Sequence, residues 1–152
     1  MKWFNERTIV APFDFSEQSK ESVALAVELA LEPSDLHVVH VIPPLIVSEP
    51  GVVWGAIDDA SRVSHAREEM VKALAHLNIP EEQMEVRIGD PGHQVCEYAE
   101  SVNAGLIVLG SHGRTGISRV LLGSVAERVT RHAPCPVLVV KPDTQVKREQ
   151  GK

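Results

Sequence analysis

Five short apolar runs, at residues 8–12, 36–42, 84–88, 105–109 and 136–141, alternate along this chain with longer stretches of helical period. No other feature restricts the fold as much. Each gap leaves room for the crossover of a dozen or more residues that parallel strands require. The order βαβαβαβαβ therefore predicts an α/β domain, a doubly wound five-stranded parallel sheet with helices on both faces and right-handed crossovers. Composition agrees with this. Apolar residues make up 43% of the chain but aromatics only 4%, so aliphatic side chains must fill the interior, as they do where helices cover a sheet on both sides.

Local signals place the helices. Ser16 is a candidate N-cap with Glu17 in the first turn, and Val23, Val27, Ala30 and Leu31 recur at helical spacing up to an end near residue 31. A second helix is expected over 59–77, with Val63, Ala66, Met70, Val71, Leu74 and Leu77 on its buried side. Asp90-Pro91 reads as the N-cap and first position of a third helix that turns Val95, Cys96, Ala99 and Val102 inward. A fourth holds Leu121, Val125 and Val129 at four-residue steps, with Gly123 inside its run. Residues 45–57 show no period and read as a long loop, while 84–88 alternates strictly, as a half-covered strand does. One domain over 1–142 and a polar tail over 143–152 account for the chain.

Ligands of such sheets lie beyond the carboxyl ends of the strands, where the strand order reverses. With order 3-2-1-4-5, that crevice falls between strands 1 and 4. Pro12-Phe13-Asp14 leaves strand 1 there, and Gly110-Ser111-His112-Gly113-Arg114-Thr115-Gly116 leaves strand 4 on its way to Gly123-Ser124. Glycines let main-chain N–H groups approach an anion, and a helix N-terminus adds unpaired donors and partial positive charge. The pattern is a seat for phosphate. It is neither a Walker A loop, for want of Gly-Lys-Ser/Thr, nor a G-x-G-x-x-G fingerprint. Its own spacing is Gly110-x2-Gly113-x9-Gly123-Ser124.

Over nearly its whole length the chain resembles the universal stress protein family, in the branch that binds ATP. The likeness lies in Pro12-Phe13-Asp14-Phe15-Ser16, His40-Val41-Ile42, the glycine loop with Gly123-Ser124, and the ending from Ala133 to Val140. The resemblance implies an adenine nucleotide alpha hydrolase-like fold that holds ATP or AMP. Pro12 and Asp14 would border the adenosine, with the Asp14 carboxylate accepting a hydrogen bond, and the main chain of Val41 would meet the adenine edge. Gly110, Ser111, His112, Gly113, Arg114, Thr115 and Gly116 would wrap the ribose and phosphates. Gly123, Ser124, Val125 and Ala126 would close on the phosphates from the fourth helix. Mg2+ or Mn2+ would ride on the phosphates, since no dedicated side-chain cluster is visible. The implied function is a nucleotide-dependent stress or regulatory module with slow hydrolysis at most. Neither a general base for an attacking water nor a Walker-B acid can be named.

Plainer roles stay open for several of these residues. Asp14 also fits a capping acid, and Gly110, Gly113 and Gly116 also fit a tight strand-to-helix turn. Gly123 resists such a reading, because glycine inside a helix costs roughly 1 kcal/mol against alanine. His112 reads as a solvated loop residue without a triad-like acid or nucleophile beside it. Arg114 and Arg119 fit phosphate contact and surface solvation equally. His37 and His40, three apart on a strand, face opposite sides and cannot chelate together. Cys96 and Cys135 lack CxxC spacing and read as free packing thiols.

The formal net charge of −6 argues against a nucleic-acid partner, and no run approaches the ~20 apolar residues of a membrane span. The first residues lack the apolar core and cleavage site of a secretion signal, so a cytoplasmic location is expected. The run from Val137 to Val140 is apolar on both faces at a sheet edge, which invites pairing. A second copy is expected to cover it in a symmetric homodimer, as the resemblance also implies. Three other classes compete: a nucleotide-independent dimeric scaffold, an adenylyl-transfer enzyme of the same broad fold, and RNA binding through Gly113-Arg114-Thr115-Gly116. The enzyme lacks its His-x-Gly-His or Ser-Gly-Gly-x-Asp-Ser signature, and the acidic balance opposes RNA. The downstream partner is not legible, nor is the choice among ATP, AMP and a cyclic dinucleotide.

Overall fold

The structure, a computed structural model, describes residues 8–46, 58–112 and 121–142. The expected strands and helices alternate through them: β1 (Ile9–Pro12), α1 (Glu17–Leu29), β2 (Leu36–Ile42), α2 (Asp59–Leu74), β3 (Met84–Ile88), α3 (Pro91–Ser101), β4 (Leu106–Gly110), α4 (Ser124–His132) and β5 (Val137–Val140). The strands form one parallel sheet, as the alternation of elements predicts, in the expected order β3-β2-β1-β4-β5. The order reverses between β1 and β4, which pair through Ile9 with Leu106 and Val10 with Ile107.

Each sheet face carries its own core. On one face Ile9, Ala11 and Val38 pack beneath Val23 and Ala26 of α1 and Met70 and Leu74 of α2. On the other, Val10, Val39, Ile107 and Leu109 pack beneath Val95, Tyr98 and Ala99 of α3 and Ala126 and Val129 of α4. The alternation of side chains along each strand sends neighbours to opposite layers, which is why the central strands are apolar throughout. His37 and His40 obey the same rule. His37 Nδ1 is hydrogen-bonded to the Tyr98 hydroxyl at 2.9 Å, and His40 Nδ1 to the carbonyl of Phe13 at 2.7 Å.

Helix ends depart from the sequence reading in three places. The α1 helix stops at Leu29, and Leu31 is 75% exposed instead of lying on its inner face. Ser19 and Ser22 take that face with Val23 and Ala26. Their hydroxyls donate to the carbonyls of Ser16 and Ser19, so small polar residues enter the core with their hydrogen bonds made. The α2 helix stops at Leu74, a 3-10 turn takes over at Ala75–Leu77, and Asn78 ends it in the left-handed region at φ 53°. Of the expected inner side chains of this segment only Met70 and Leu74 are fully buried, the rest being half-buried. Leu121 precedes α4 and is 69% exposed, so it belongs to no helical stripe.

Strand β5 is the outer strand beside β4, and Leu138 on it is 39% exposed. Cys96 is half-buried and Cys135 buried, and both are free thiols. Among the described residues no helix is long and apolar enough to cross a membrane. Residues 47–57 of the expected loop and the tail over 143–152 lie outside the described residues.

Candidate functional site

A cleft of about 430 Å³ opens beyond the carboxyl ends of β1 and β4, within the usual size for small-molecule sites. Residues 12–15, which leave β1, form one wall, and residues 39–43 at the end of β2 form the next. Val95, Leu109 and Gly110 lie at its base, and residues 123–126 close the far side.

The first wall is held in an unusual conformation. Asp14 Oδ1 accepts from the Ser16 amide at 2.9 Å and from the Ser16 hydroxyl, while Ser16 Oγ caps α1 by accepting from the Ser19 amide at 3.1 Å. The Asp14 amide in turn donates to Ser19 Oγ at 3.2 Å. Asp14 therefore does not cap α1 itself, as the sequence left open; it orients Ser16, which does, and it lines the cleft as well. These bonds carry the chain through Phe15 at φ 65°, a left-handed conformation that costs a non-glycine residue about 1–2 kcal/mol. The Phe15 ring rests on Phe13 at 4.8 Å and meets the edge of His40 at 4.9 Å, making an aromatic and apolar corner.

The opposite wall is an open helix end. Helices α1, α2 and α3 are capped by Ser16, Asp58 and Asp90, each accepting from the backbone N–H three residues on. The α4 helix has Gly123 at its N-cap, at φ −61° and ψ 159°, with no side-chain cap. Gly123 is thus at the helix boundary and not inside the helix, and the propensity cost assigned to it from sequence does not apply. Its amide donates to the Ser111 carbonyl at 2.7 Å, which fastens the helix start to the end of β4. The first-turn amides that follow, on Ser124, Val125 and Ala126, have no intrahelical acceptor, and all three residues line the cleft.

Between the walls, Ser111 and His112 leave β4 under the control of Gln18. Gln18 Nε2 donates to Ser111 Oγ at 3.0 Å and to the Val140 carbonyl at 3.3 Å, and Gln18 Oε1 accepts from the His112 amide at 2.9 Å. A Cβ on Gly110 would come within 2.8 Å of Gln18 Cγ, so the glycine admits this side chain. His112 is not the solvated residue expected from sequence. Its Nδ1 is hydrogen-bonded to Ser111 Oγ at 3.0 Å, and its Nε2 is buried with no hydrogen-bond partner among the described residues.

The described lining residues include one acid, Asp14, and no lysine or arginine, so the hydrogen-bond donors they offer are main-chain N–H groups, serine hydroxyls and imidazole. Among the described residues no group of three or more His, Cys, Asp or Glu side chains could hold a metal ion. Of the residues singled out from sequence, Pro12, Asp14, Val41, Gly110, His112, Gly123, Ser124, Val125 and Ala126 line the cleft, and Ser111 is buried beside it. Gly113, Arg114, Thr115 and Gly116, with Arg119, lie outside the described residues. Phe13, Phe15, Ser19, His40 and Val95 also line the cleft. Ser19 carried a signal in its spacing from Ser16, whereas Gln18 carried none.

The universal stress protein family profile matches residues 6–141. The chain belongs to this family. Universal stress protein MJ0531 of Methanocaldococcus jannaschii is 36% identical over 144 residues, covering 89% of this chain and 82% of the relative. Universal stress protein E of Escherichia coli is 35% identical over 129 residues, but the match covers 82% of this chain and only 40% of that longer protein. Among solved structures, hypothetical protein MJ0577 superposes with a TM-score of 0.72 at 26% identity, over 91% of this chain and 98% of its own. A universal stress protein in complex with cAMP superposes with a TM-score of 0.59 at 25% identity, over 91% and 98%. In this universal stress protein, the cleft lies at the reversal point of the doubly wound sheet.

Proposed function

We propose that the cleft binds an adenine nucleotide, ATP foremost, and that the protein acts as a nucleotide-dependent regulatory module of the ATP-binding branch. The uncapped first turn of α4 beside the cleft carries the reading, because the other three described α-helices have side-chain caps and α4, whose first three residues line the cleft, does not. Amides left open at a helix N-terminus favour an anion. At the other end, the apolar corner of Phe13, Phe15 and Val41 suits a flat base, and Asp14 suits a ribose or base donor. A family member in complex with cAMP supports an adenine nucleotide as the ligand class. A divalent ion, Mg2+ or Mn2+, would sit on the phosphates. With no general base among the described lining residues beyond imidazole and Asp14, which is engaged in the α1 entry, hydrolysis would be slow and secondary. Pairing of two copies through β5 completes the proposal, since its Leu138 lies exposed on an outer strand.

Calorimetry of the wild-type chain and of Gly123→Val with ATP, AMP and cAMP tests the reading. Valine adopts φ −61° and ψ 159° without strain, so the variant is expected to fold while its side chain crowds the open amides. Saturable binding by the wild type and at least a tenfold loss in the variant support the reading. A wild-type chain that binds none of the three contradicts it and favours the nucleotide-independent scaffold.

A further inference from the structure

We propose that Gln18 is a positioning residue for the anion-binding side of the cleft, acting through Ser111 to hold His112 as the tautomer with its proton on Nε2. The His112 main-chain N–H fixes the orientation of the Gln18 amide, and that orientation leaves the Ser111 proton for His112. The His112 main-chain N–H can only donate, so the Gln18 atom 2.9 Å from it is the carbonyl Oε1. The Gln18 amide nitrogen then faces Ser111 Oγ at 3.0 Å and the Val140 carbonyl at 3.3 Å, and it donates to both. Ser111 Oγ, having accepted from Gln18, keeps its own proton for an acceptor, and His112 Nδ1 lies 3.0 Å away. Neutral imidazole that accepts at Nδ1 carries its proton on Nε2.

That nitrogen is the one buried side-chain atom among the described residues without a hydrogen-bond partner. A buried donor left unpaired costs about 1–3 kcal/mol, which an incoming acceptor would offset. The opposite tautomer would strand the Ser111 hydroxyl proton and turn a lone pair toward whatever anion approaches Nε2. Ser111 is only 5% exposed, so water gives it little relief. Gly110 belongs to the same device, since its missing Cβ leaves the space Gln18 Cγ occupies.

The nature of the ligand rests on the nucleotide reading, but the tautomer does not, so the two are tested separately. Long-range nitrogen–proton NMR of the ligand-free protein, at a pH where imidazole is neutral, reports which nitrogen of His112 is protonated. The wild type is expected to show the proton on Nε2. Gln18→Glu keeps the acceptor for the His112 amide but replaces the donor toward Ser111 with an acceptor. The Ser111 proton then turns to the carboxylate and the His112 proton moves to Nδ1. Ser111→Ala cuts the relay and is expected to leave a mixture, which keeps the test intact should Gln18→Glu fail to fold. A wild type protonated on Nδ1 overturns the proposal. So does a tautomer that neither substitution changes. With ATP as the probe, Gln18→Met is expected to weaken binding about tenfold while the thermal melt of the free protein stays cooperative. Unchanged affinity overturns the positioning role. A wild type that binds no ATP removes the nucleotide reading and leaves the tautomer experiment to decide this proposal.

Discussion

Gly110→Ala separates two reasons for a glycine at the end of β4. If Gly110 serves only the approach of a ligand, alanine leaves the ligand-free protein as stable as before. The structure gives a different reason. The new Cβ would lie 2.8 Å from Gln18 Cγ and 3.1 Å from Cδ, so Gln18 has to move. Its bonds to Ser111 Oγ, the Val140 carbonyl and the His112 amide are all at stake. At about 1 kcal/mol net per hydrogen bond, losing two or three of them costs about 2–3 kcal/mol. Alanine returns about 0.4–1 kcal/mol by restricting the unfolded chain. The expected net loss is about 1–2.6 kcal/mol, a fall of roughly 2–10 °C in Tm for a chain of this size. Urea titration of the ligand-free protein measures it. The same substitution in a Gln18→Ala background is expected to be neutral or slightly stabilising, because the obstructing side chain is gone. Equal losses in both backgrounds, or none in either, would refute the packing explanation.

Three further outcomes follow from particular residues. Burial, followed by the neighbouring Cys96, pushes the Cys135 thiol up to about 11. The folded chain therefore keeps a proton that the unfolded chain loses near pH 9, and stability should fall as pH rises from about 9 toward 11; urea titrations at pH 8 and pH 10 should show less of this fall in Cys135→Ala. The His93 amide, and then Arg128, hold the Asp90 carboxyl below its usual range, so its contribution is present at neutral pH and lost as pH falls through that depressed value. Asp90→Ala is expected to cost about 1 kcal/mol at pH 7 and less at pH 3, measured by denaturant titration at both. Light scattering at micromolar concentration should give a dimer mass for the wild type and a monomer mass for Leu138→Lys; a monomeric wild type would remove the proposed pairing through β5.

The parallel doubly wound architecture was legible because strand and helix periods alternate cleanly, and Ser16 and Asp90 mark helix starts where the structure caps them. Helix ends were less legible for a specific reason. Ser19 and Ser22 look polar in sequence but satisfy their hydroxyls on the helix backbone, so the buried face of α1 hides behind serines while Leu31 points away. Gly123 looked internal to α4 because Leu121 and Val125 share its spacing, yet the helix begins only at Ser124. Gly110, Gly123 and Asp14, which line the cleft, stood out by residue type. Gln18 did not, since an amide on a helix becomes informative only when residues 93 and 94 positions away are brought against it. The expectation of a solvated His112 failed in part for the same cause, because Gln18, 94 positions away, fixes its main chain while the adjacent Ser111 hydroxyl binds its ring.

The account depends on open amides at the start of α4 receiving a nucleotide's phosphates. Titration of ¹⁵N-labelled protein with ATP, set against adenosine, follows those amides one by one. With ATP, the N–H signals of Ser124, Val125 and Ala126 are expected to shift to saturation, and with adenosine they should stay in place while Val41 responds. Saturating ATP that leaves the three α4 amides unmoved would contradict the account.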